Sequence, residues 1–240
     1  MSSRITCEVR TTAPVAVVRL AGALHLGTMR SVHRALSDAL VDQPEALVVD
    51  MAEVSVEDRL ALSVFAATAR RAEEWPAVPV VLCAPSPVAA RWLAESTTCR
   101  VVPVTADCAE ATRMAGATPR MRARLEPVAE ACRRARELVT DACARWNLPE
   151  AAGPAALVLS ELVGNVVRHA GTPMQVTVTL RRPYLHLAVV DGSSAQAQPG
   201  GTDLHAEGGR GLMLVRELAQ RWGSVPAGQG KAVWAMLPAT

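Results

Sequence analysis

Aromatic side chains are nearly missing from this sequence: its 240 residues include one Phe (Phe65) and one Tyr (Tyr184). Stacking platforms for single-stranded nucleic acid need several such rings, so the composition argues against that class of binding. A dominant charge is missing too. The formal net charge is +2, too small to make a nucleic-acid or membrane surface. No run reaches the ~18 consecutive apolar residues of a membrane span. The opening MSSRITCEVR carries no apolar segment of the signal-peptide kind. The six cysteines (Cys7, Cys83, Cys99, Cys108, Cys132 and Cys143) form no C-x-x-C pair. They are expected to be buried thiols in a reducing cytosol, not zinc ligands or a disulfide frame. Lysine occurs once, at Lys231. The scarcity of Lys, Ile, Phe, Tyr and Asn, whose codons are AT-rich, points to a GC-rich genome.

What is present suffices for a normal core: half the residues are apolar and a fifth are charged. The length suits one large domain or two small ones. In the first hundred residues strand and helix signals alternate. Strands are expected at Ile5–Arg10, Val15–Leu24, Ala46–Asp50, Val78–Cys83 and Val101–Val104. Helices are expected from a Thr28 cap through Leu40, over Asp58–Glu74 up to Pro76, and over Ser86–Glu95. Repeated units of this kind predict a sheet with helices packed on it, an α/β arrangement. The small residues of Thr105–Thr118 read as a linker or a linking helix. Domains are therefore expected at 1–106 and 120–240, with 107–119 between them.

The second half reads as α+β. Arg122–Leu125 is a candidate strand and Pro127–Trp146 a helix with proline in its first turn. A helix over Glu150–Ala170 follows, then strands Met174–Arg181 and Leu185–Asp191 joined at Arg182–Pro183. Gly192–Glu207 is a long polar loop. A helix over Gly211–Trp222 and a strand over Ala232–Leu237 complete the pattern.

The stretch SELVGNVVRHA, Ser160–Ala170, carries the first candidate site. At about 100° per residue, Asn165 lies about 40° from Glu161, His169 about 80°, and Arg168 about 20° the other way. Leu159, Leu162, Val163, Val166 and Ala170 fill the opposite, apolar side. A short amide one turn from a carboxylate suits a metal or phosphate better than it suits solubility. The second piece is Asp191, at the end of LAVVD before GSSAQAQP. The third is EGGRGL, Glu207–Leu212, a glycine turn opening a helix, whose N–H groups and dipole favour an anion.

In this order, E-x-x-x-N on a helix, two strands, Asp, a loop and G-x-G-L resemble the GHKL (Bergerat-fold) ATP-binding module. ELVGNVVRHA, VVDGSS and GGRGLMLV look most like the anti-sigma-factor serine kinases of actinobacterial type. The resemblance covers roughly residues 120–238 and implies a Bergerat α/β sandwich that binds ATP and Mg²⁺. It implies that Asn165 binds the metal and that Glu161 acts as catalytic base toward the attacking hydroxyl. Asp191, with Ser193 beside it, would hold the adenine amino group. Gly208, Gly209, Gly211 and Leu212 would form the phosphate turn, and 192–207 the lid. Arg168, His169 and Arg210 would be candidate phosphate contacts. Two departures stand out: the D-x-G-x-G box reads Asp191-Gly192-Ser193-Ser194-Ala195, and Glu207 stands where some members carry an arginine for the γ-phosphate.

Over Val15–Val104, VVRLAGAL and ALVVDMAEVSVEDRLALSVF are similar to STAS domains, the fold of anti-sigma-factor antagonists. Those antagonists carry a phosphorylated serine in D-S-S-G-L. Here Asp58-Arg59-Leu60-Ala61-Leu62 puts Arg59 at that position. The nearest hydroxyls are Ser55 and Ser63, the latter expected to face the core. This half is therefore read as a docking or dimerisation domain without a phosphoserine switch.

Together the resemblances imply a cytoplasmic, ATP-binding anti-sigma-factor serine/threonine kinase that works by partner switching. Its partners would be a sigma factor, a separate STAS-domain antagonist, or both. A homodimer is allowed; direct contact with nucleic acid or membrane is not expected. The alternative is a non-catalytic nucleotide-binding or sequestering module that acts through its STAS-like half. A histidine kinase fragment fits less well. His33 lies on a predicted helix, but no two-helix hairpin precedes the nucleotide module.

Overall fold

The computed structural model describes residues 4–12, 14–115, 118–194 and 209–239. The chain divides into two units, Met1–Ala117 and Thr118–Thr240.

The first unit is built on a five-stranded sheet in the order β1-β2-β3-β4-β5. Strands β1 (Ile5–Thr12) and β2 (Val15–Leu24) are antiparallel. Strands β3 (Ala46–Val56), β4 (Val80–Cys83) and β5 (Val104–Thr105) then run parallel to β2. Alternation along each strand sends side chains to opposite faces. Val18, Leu20, Leu47, Val49, Met51, Val80 and Leu82 meet helices α1 (Met29–Val41), α2 (Ser63–Glu74) and α3 (Pro87–Glu95). Their neighbours Val15, Val17, Ala46, Val48, Val81 and Cys83 form the opposite face, which is covered by α4 (Cys108–Ala115) through Ala111 and Cys108.

Of the two readings of this stretch, linker or linking helix, the structure has a helix, α4, but it packs on the first sheet and so belongs to the first unit. CAEATRMA holds a helix packed on the first sheet, capped where Asp107 accepts a hydrogen bond from the Glu110 N–H at 2.7 Å. The expected helix over Asp58–Glu74 is also divided. Arg59–Leu62 forms a 3-10 turn capped by Asp58, and α2 begins at Ser63. Ser63 does not face the core as expected. It is exposed and donates to the Leu60 carbonyl. Cys83 and Cys108 are joined in a disulfide, against the expectation of free thiols. The missing C-x-x-C spacing was no guide, because a strand end and a helix start bring the two sulfurs together.

The second unit has an antiparallel sheet in the order β6-β7-β8-β10-β9. Its strands are β6 (Arg120–Leu125), β7 (Met174–Arg181), β8 (Tyr184–Asp191), β9 (Arg221–Ala227) and β10 (Gly230–Pro238). One row of side chains, Met174, Val176, Val178, Leu185, Leu187, Val189, Val233, Ala235 and Leu237, packs on α5 (Ala131–Arg145), α6 (Pro149–Asn165) and α7 (Gly209–Leu218). Helix α6 and the turn after it span 22 residues and are apolar enough to cross a membrane by length and composition. Val158, Leu159, Leu162 and Val163 on α6 are nevertheless buried in the core of this unit.

The helix expected over Gly211–Trp222 ends at Leu218, and strand β9, not expected from the sequence, begins at Arg221. Gly223 and Pro226 hid it in the sequence, yet both fit an edge strand. Pro226 needs no inner ladder bond there. Gly223 leaves room for the Trp234 ring, whose Cζ2 would lie 2.8 Å from an added Cβ.

Candidate functional site

Helix α6 places Glu161 and Asn165 one turn apart, as the periodicity requires. Beyond Asn165 the backbone widens into a π-helical turn, Val166–Ala170, closed by Gly171 at φ +60°. Such turns recur at functional sites because they re-aim the side chains they carry. Here Arg168 folds back along the helix. Its Nη2 donates to Asn165 Oδ1 at 2.9 Å and lies 3.6 Å from Glu161 Oε2. One cationic nitrogen thus sits where a carboxylate oxygen and an amide oxygen converge. That donor set suits a hard cation, which needs only one or two protein oxygens when it keeps its waters.

The start of α7 closes against the same carboxylate. A Cβ on Gly211 would lie 2.3 Å from Glu161 Oε2 and 3.2 Å from its Cδ, so glycine is required for this approach. Leu212, the next residue, is buried. Gly209 and Arg210 lie in the first turn of α7. Gly208, Glu207 and residues 195–206 of the expected lid lie outside the described residues. His169 is exposed and is not drawn into the Glu161–Asn165–Arg168 cluster.

Asp191 ends the row of β8 residues that faces the helices, following Leu185, Leu187 and Val189. Its side chain is only 1% exposed. Oδ1 accepts from the Ser193 N–H at 2.7 Å and from Lys231 Nζ at 3.0 Å. The ammonium is also 3.0 Å from Oδ2, an ion pair without a hydrogen bond to that oxygen. Oδ2 is therefore buried without a hydrogen-bond donor among the described residues. A buried, undersatisfied carboxylate oxygen is costly unless a ligand donor completes it. An exocyclic amino group, such as adenine's, has the chemistry required.

The Gly192 N–H donates to Thr172 Oγ1 at 3.0 Å, tying the end of β8 to the segment that leaves the π-helical turn. The chain thus brings Asp191 toward the end of the helix that bears Asn165.

Sequence reasoning missed Lys231. It faces Asp191 in the β8–β10 register. The signal was available: the chain's single lysine stands before an uninterrupted apolar run, AVWAMLP. His186, also on β8, is buried and its pKa is pushed down to about 4 by desolvation, with Arg181 and Arg120 adding repulsion. In the first unit, Arg59, the residue that the sequence reading set at the phosphoserine position, pairs with Glu95 at 3.2 Å.

Comparison with known proteins accords with both halves. Residues 6–111 match the STAS domain, and residues 122–237 match the histidine kinase-like ATPase domain. An anti-sigma factor antagonist from Mycobacterium paratuberculosis is similar at 22% identity and TM-score 0.42, over 46% of this chain and 93% of that one. The antagonist SpoIIAA in its unphosphorylated form is similar at 16% identity and TM-score 0.39, over 46% and 97%. The RsbU and RsbW domains of a Mycobacterium tuberculosis protein are similar at 16% identity and TM-score 0.39. That match takes in 50% of this chain and 32% of the other. No curated protein matches the chain.

Proposed function

We propose that this chain, a STAS domain followed by a histidine kinase-like ATPase domain, is an ATP-binding regulator that acts by partner switching. Its activity in this reading is Mg²⁺-dependent transfer of phosphate to a serine or threonine of a separate STAS-domain antagonist. The switched partner is a sigma factor, and the setting is the cytoplasm. The observation that carries the reading is the convergence of Glu161, Asn165 and the start of α7 within a domain of this family.

Asn165 Oδ1 would hold the metal, and Asp191 Oδ2 would accept from the adenine amino group. When bound, Mg²⁺ neutralises phosphate charge, and the protein chiefly positions the reactants. Glu161 would take the proton from the attacking hydroxyl as its oxygen bonds to the γ-phosphorus and the bond to the bridging oxygen breaks, releasing ADP. The N–H groups of Gly209, Arg210 and Gly211 face phosphate oxygens at a helix N-terminus. Arg168 holds Glu161 and Asn165 in register and offers a positive charge beside them. Ser193 fixes the Asp191 carboxylate through its N–H.

The test is calorimetric titration of the full chain with ATP and ADP, with and without Mg²⁺, followed by phosphate transfer to candidate antagonists. Metal-dependent binding lost in Asn165→Ala, with transfer lost but binding kept in Glu161→Ala, supports the reading. Unchanged transfer by Glu161→Ala refutes the base assignment.

A second reading is favoured by Glu207 before the glycine turn and by the Arg59–Glu95 pair. In it the chain binds nucleotide without transferring phosphate and sequesters a partner through its STAS half. Good nucleotide binding with no transfer to any candidate antagonist selects this second reading.

A further inference from the structure

We propose that Cys83 and Cys108 form a reversible thiol–disulfide site that fastens α4 to the first sheet, and that Cys108 is the sulfur open to exchange with low-molecular-weight thiols. The pair is bonded, with its Cα atoms 5.1 Å apart. That separation is within the usual range of about 4.4–6.8 Å. The two sulfurs differ in access: Cys83 is fully buried at the end of β4, whereas Cys108 is partly exposed at the first residue of α4. Attack from solvent is therefore directed to one sulfur.

The helix depends on this fastening. It is eight residues long, a length at which an isolated helix is marginal. Among its described side chains, Ala111 is the fully buried one, and Met114 is 53% exposed. Asp107 caps its first turn, and the Thr112 hydroxyl donates to the Cys108 carbonyl. These bonds are local; beside the disulfide, the ties to the sheet are the buried Ala111 and a hydrogen bond from the Thr105 hydroxyl on β5 to the Asp107 carbonyl at 2.9 Å. Helix α4 is also the last element of the first unit before the chain passes to the second. The redox state of the pair thus sets how firmly that exit helix is held.

A divalent metal is the competing occupant, because Asp50 brings a carboxylate within 4.8 Å of both sulfurs. That carboxylate is already engaged. Arg19 Nε donates to Oδ2 at 3.1 Å and the Ala52 N–H to Oδ1 at 3.0 Å. The arrangement favours a bond between the sulfurs over a shared metal.

Reduction balances as follows. A small thiolate attacks Cys108 Sγ, the Cys83–Cys108 bond breaks, and Cys83 leaves as a thiolate that takes a proton. A second small thiolate attacks the outer sulfur of the mixed disulfide and releases Cys108. Two small thiols become one small disulfide, and the protein gains two thiols.

The experiment equilibrates the full chain with reduced and oxidised glutathione in graded ratios, traps free thiols by alkylation and measures mass and peptide linkage. The expected result is one transition in which two thiols appear together, with a Cys83–Cys108 linked peptide on its oxidised side. Hydrogen exchange of α4 amides should rise at least tenfold on reduction, with β7 and β8 unchanged. Cys108→Ser, at the partly exposed position, should reproduce the faster α4 exchange without any thiol added. Alkylation of both cysteines at every ratio overturns the proposal. So does a linked peptide that persists in excess reduced glutathione, one zinc per chain with both thiols unoxidised, or α4 exchange indifferent to reduction.

Discussion

Removing the ammonium of Lys231 tests the second unit at its most buried charge. Lys231→Met keeps the length of the side chain and its apolar stem but deletes the partner of Asp191. The Asp191 side chain is 1% exposed, and the Lys231 side chain 11%. The carboxylate would keep the Ser193 N–H and lose the Lys231 ammonium, the cation paired with it among the described residues. Breaking a buried pair from one side costs about 3–5 kcal/mol, because the remaining charge stays buried and unpaired. Against a domain stability of about 5–15 kcal/mol, that is a large share. With a urea slope of about 1–3 kcal/mol/M, the midpoint should fall by at least about 1 M. Hydrogen exchange of β8 and β10 amides reads this unit separately from the first. Adding Asp191→Asn to Lys231→Met removes the stranded charge and should recover most of the loss. The double-mutant cycle should give a coupling of about 2 kcal/mol or more. If the ammonium is instead served by solvent, the pair is worth only about 0–1 kcal/mol, as on a surface. A loss under about 1 kcal/mol, with no recovery in the double variant, would refute the argument from burial.

Three further outcomes are expected. Asn165→Ala should abolish the Mg²⁺-dependent part of nucleotide affinity measured by calorimetry while leaving the unfolding free energy from urea titration within about 0.5 kcal/mol of the parent, since Asn165 is only half-buried. Gly211→Ala places a methyl against the Glu161 carboxylate, and the colliding atoms are the movable end of that side chain. Stability should therefore change little, helped by the better helix propensity of alanine, while phosphate transfer falls at least tenfold in a single-turnover assay. His186 has a pKa near 4 in the folded chain, against 6.5 for the free side chain. The unfolded chain then binds the extra proton first, so stability should fall as pH drops from about 6.5 to about 4 and level off below. The full effect is roughly 3 kcal/mol, and His186→Gln should flatten that slope in urea titrations at stepped pH.

Local patterns carried the sequence reading a long way. Alternation in VVRLAGAL and ALVVD marks strands whose two faces meet different helices, and Val48 and Val49 do fall on opposite faces. The spacing of Glu161 and Asn165 places them together because both precede the π-helical turn. The extrapolation weakens for Arg168 and His169, which lie inside it: Arg168 turns back onto Asn165 and His169 points to solvent. What stayed hidden was long-range. Asp191 and Lys231 are 40 residues apart and meet only through the register of β8 and β10. Cys83 and Cys108, 25 apart, meet only once β4 is in the sheet and α4 has settled on it. A periodic pattern reports which side of its own element a residue occupies, not which element lies across from it.

Under the proposed function, the same distinction separates nucleotide binding from phosphate transfer. The groups suited to binding are fixed by the fold: Asp191 by the sheet register and the Ser193 N–H, and Asn165 by α6 and the Arg168 guanidinium. The carboxylate suited to transfer is held less firmly. The Glu161 side chain is 29% exposed, and its position depends on a 3.6 Å ion pair and on the absence of a side chain at Gly211. Transfer should therefore be the more sensitive property. Arg168→Gln, which can still donate a hydrogen bond to Asn165 but removes the ion pair to Glu161, should reduce transfer more than it reduces Mg²⁺–ATP affinity. Equal losses in the two assays would mean that Arg168 acts on the bound phosphates themselves and not through the Glu161 carboxylate.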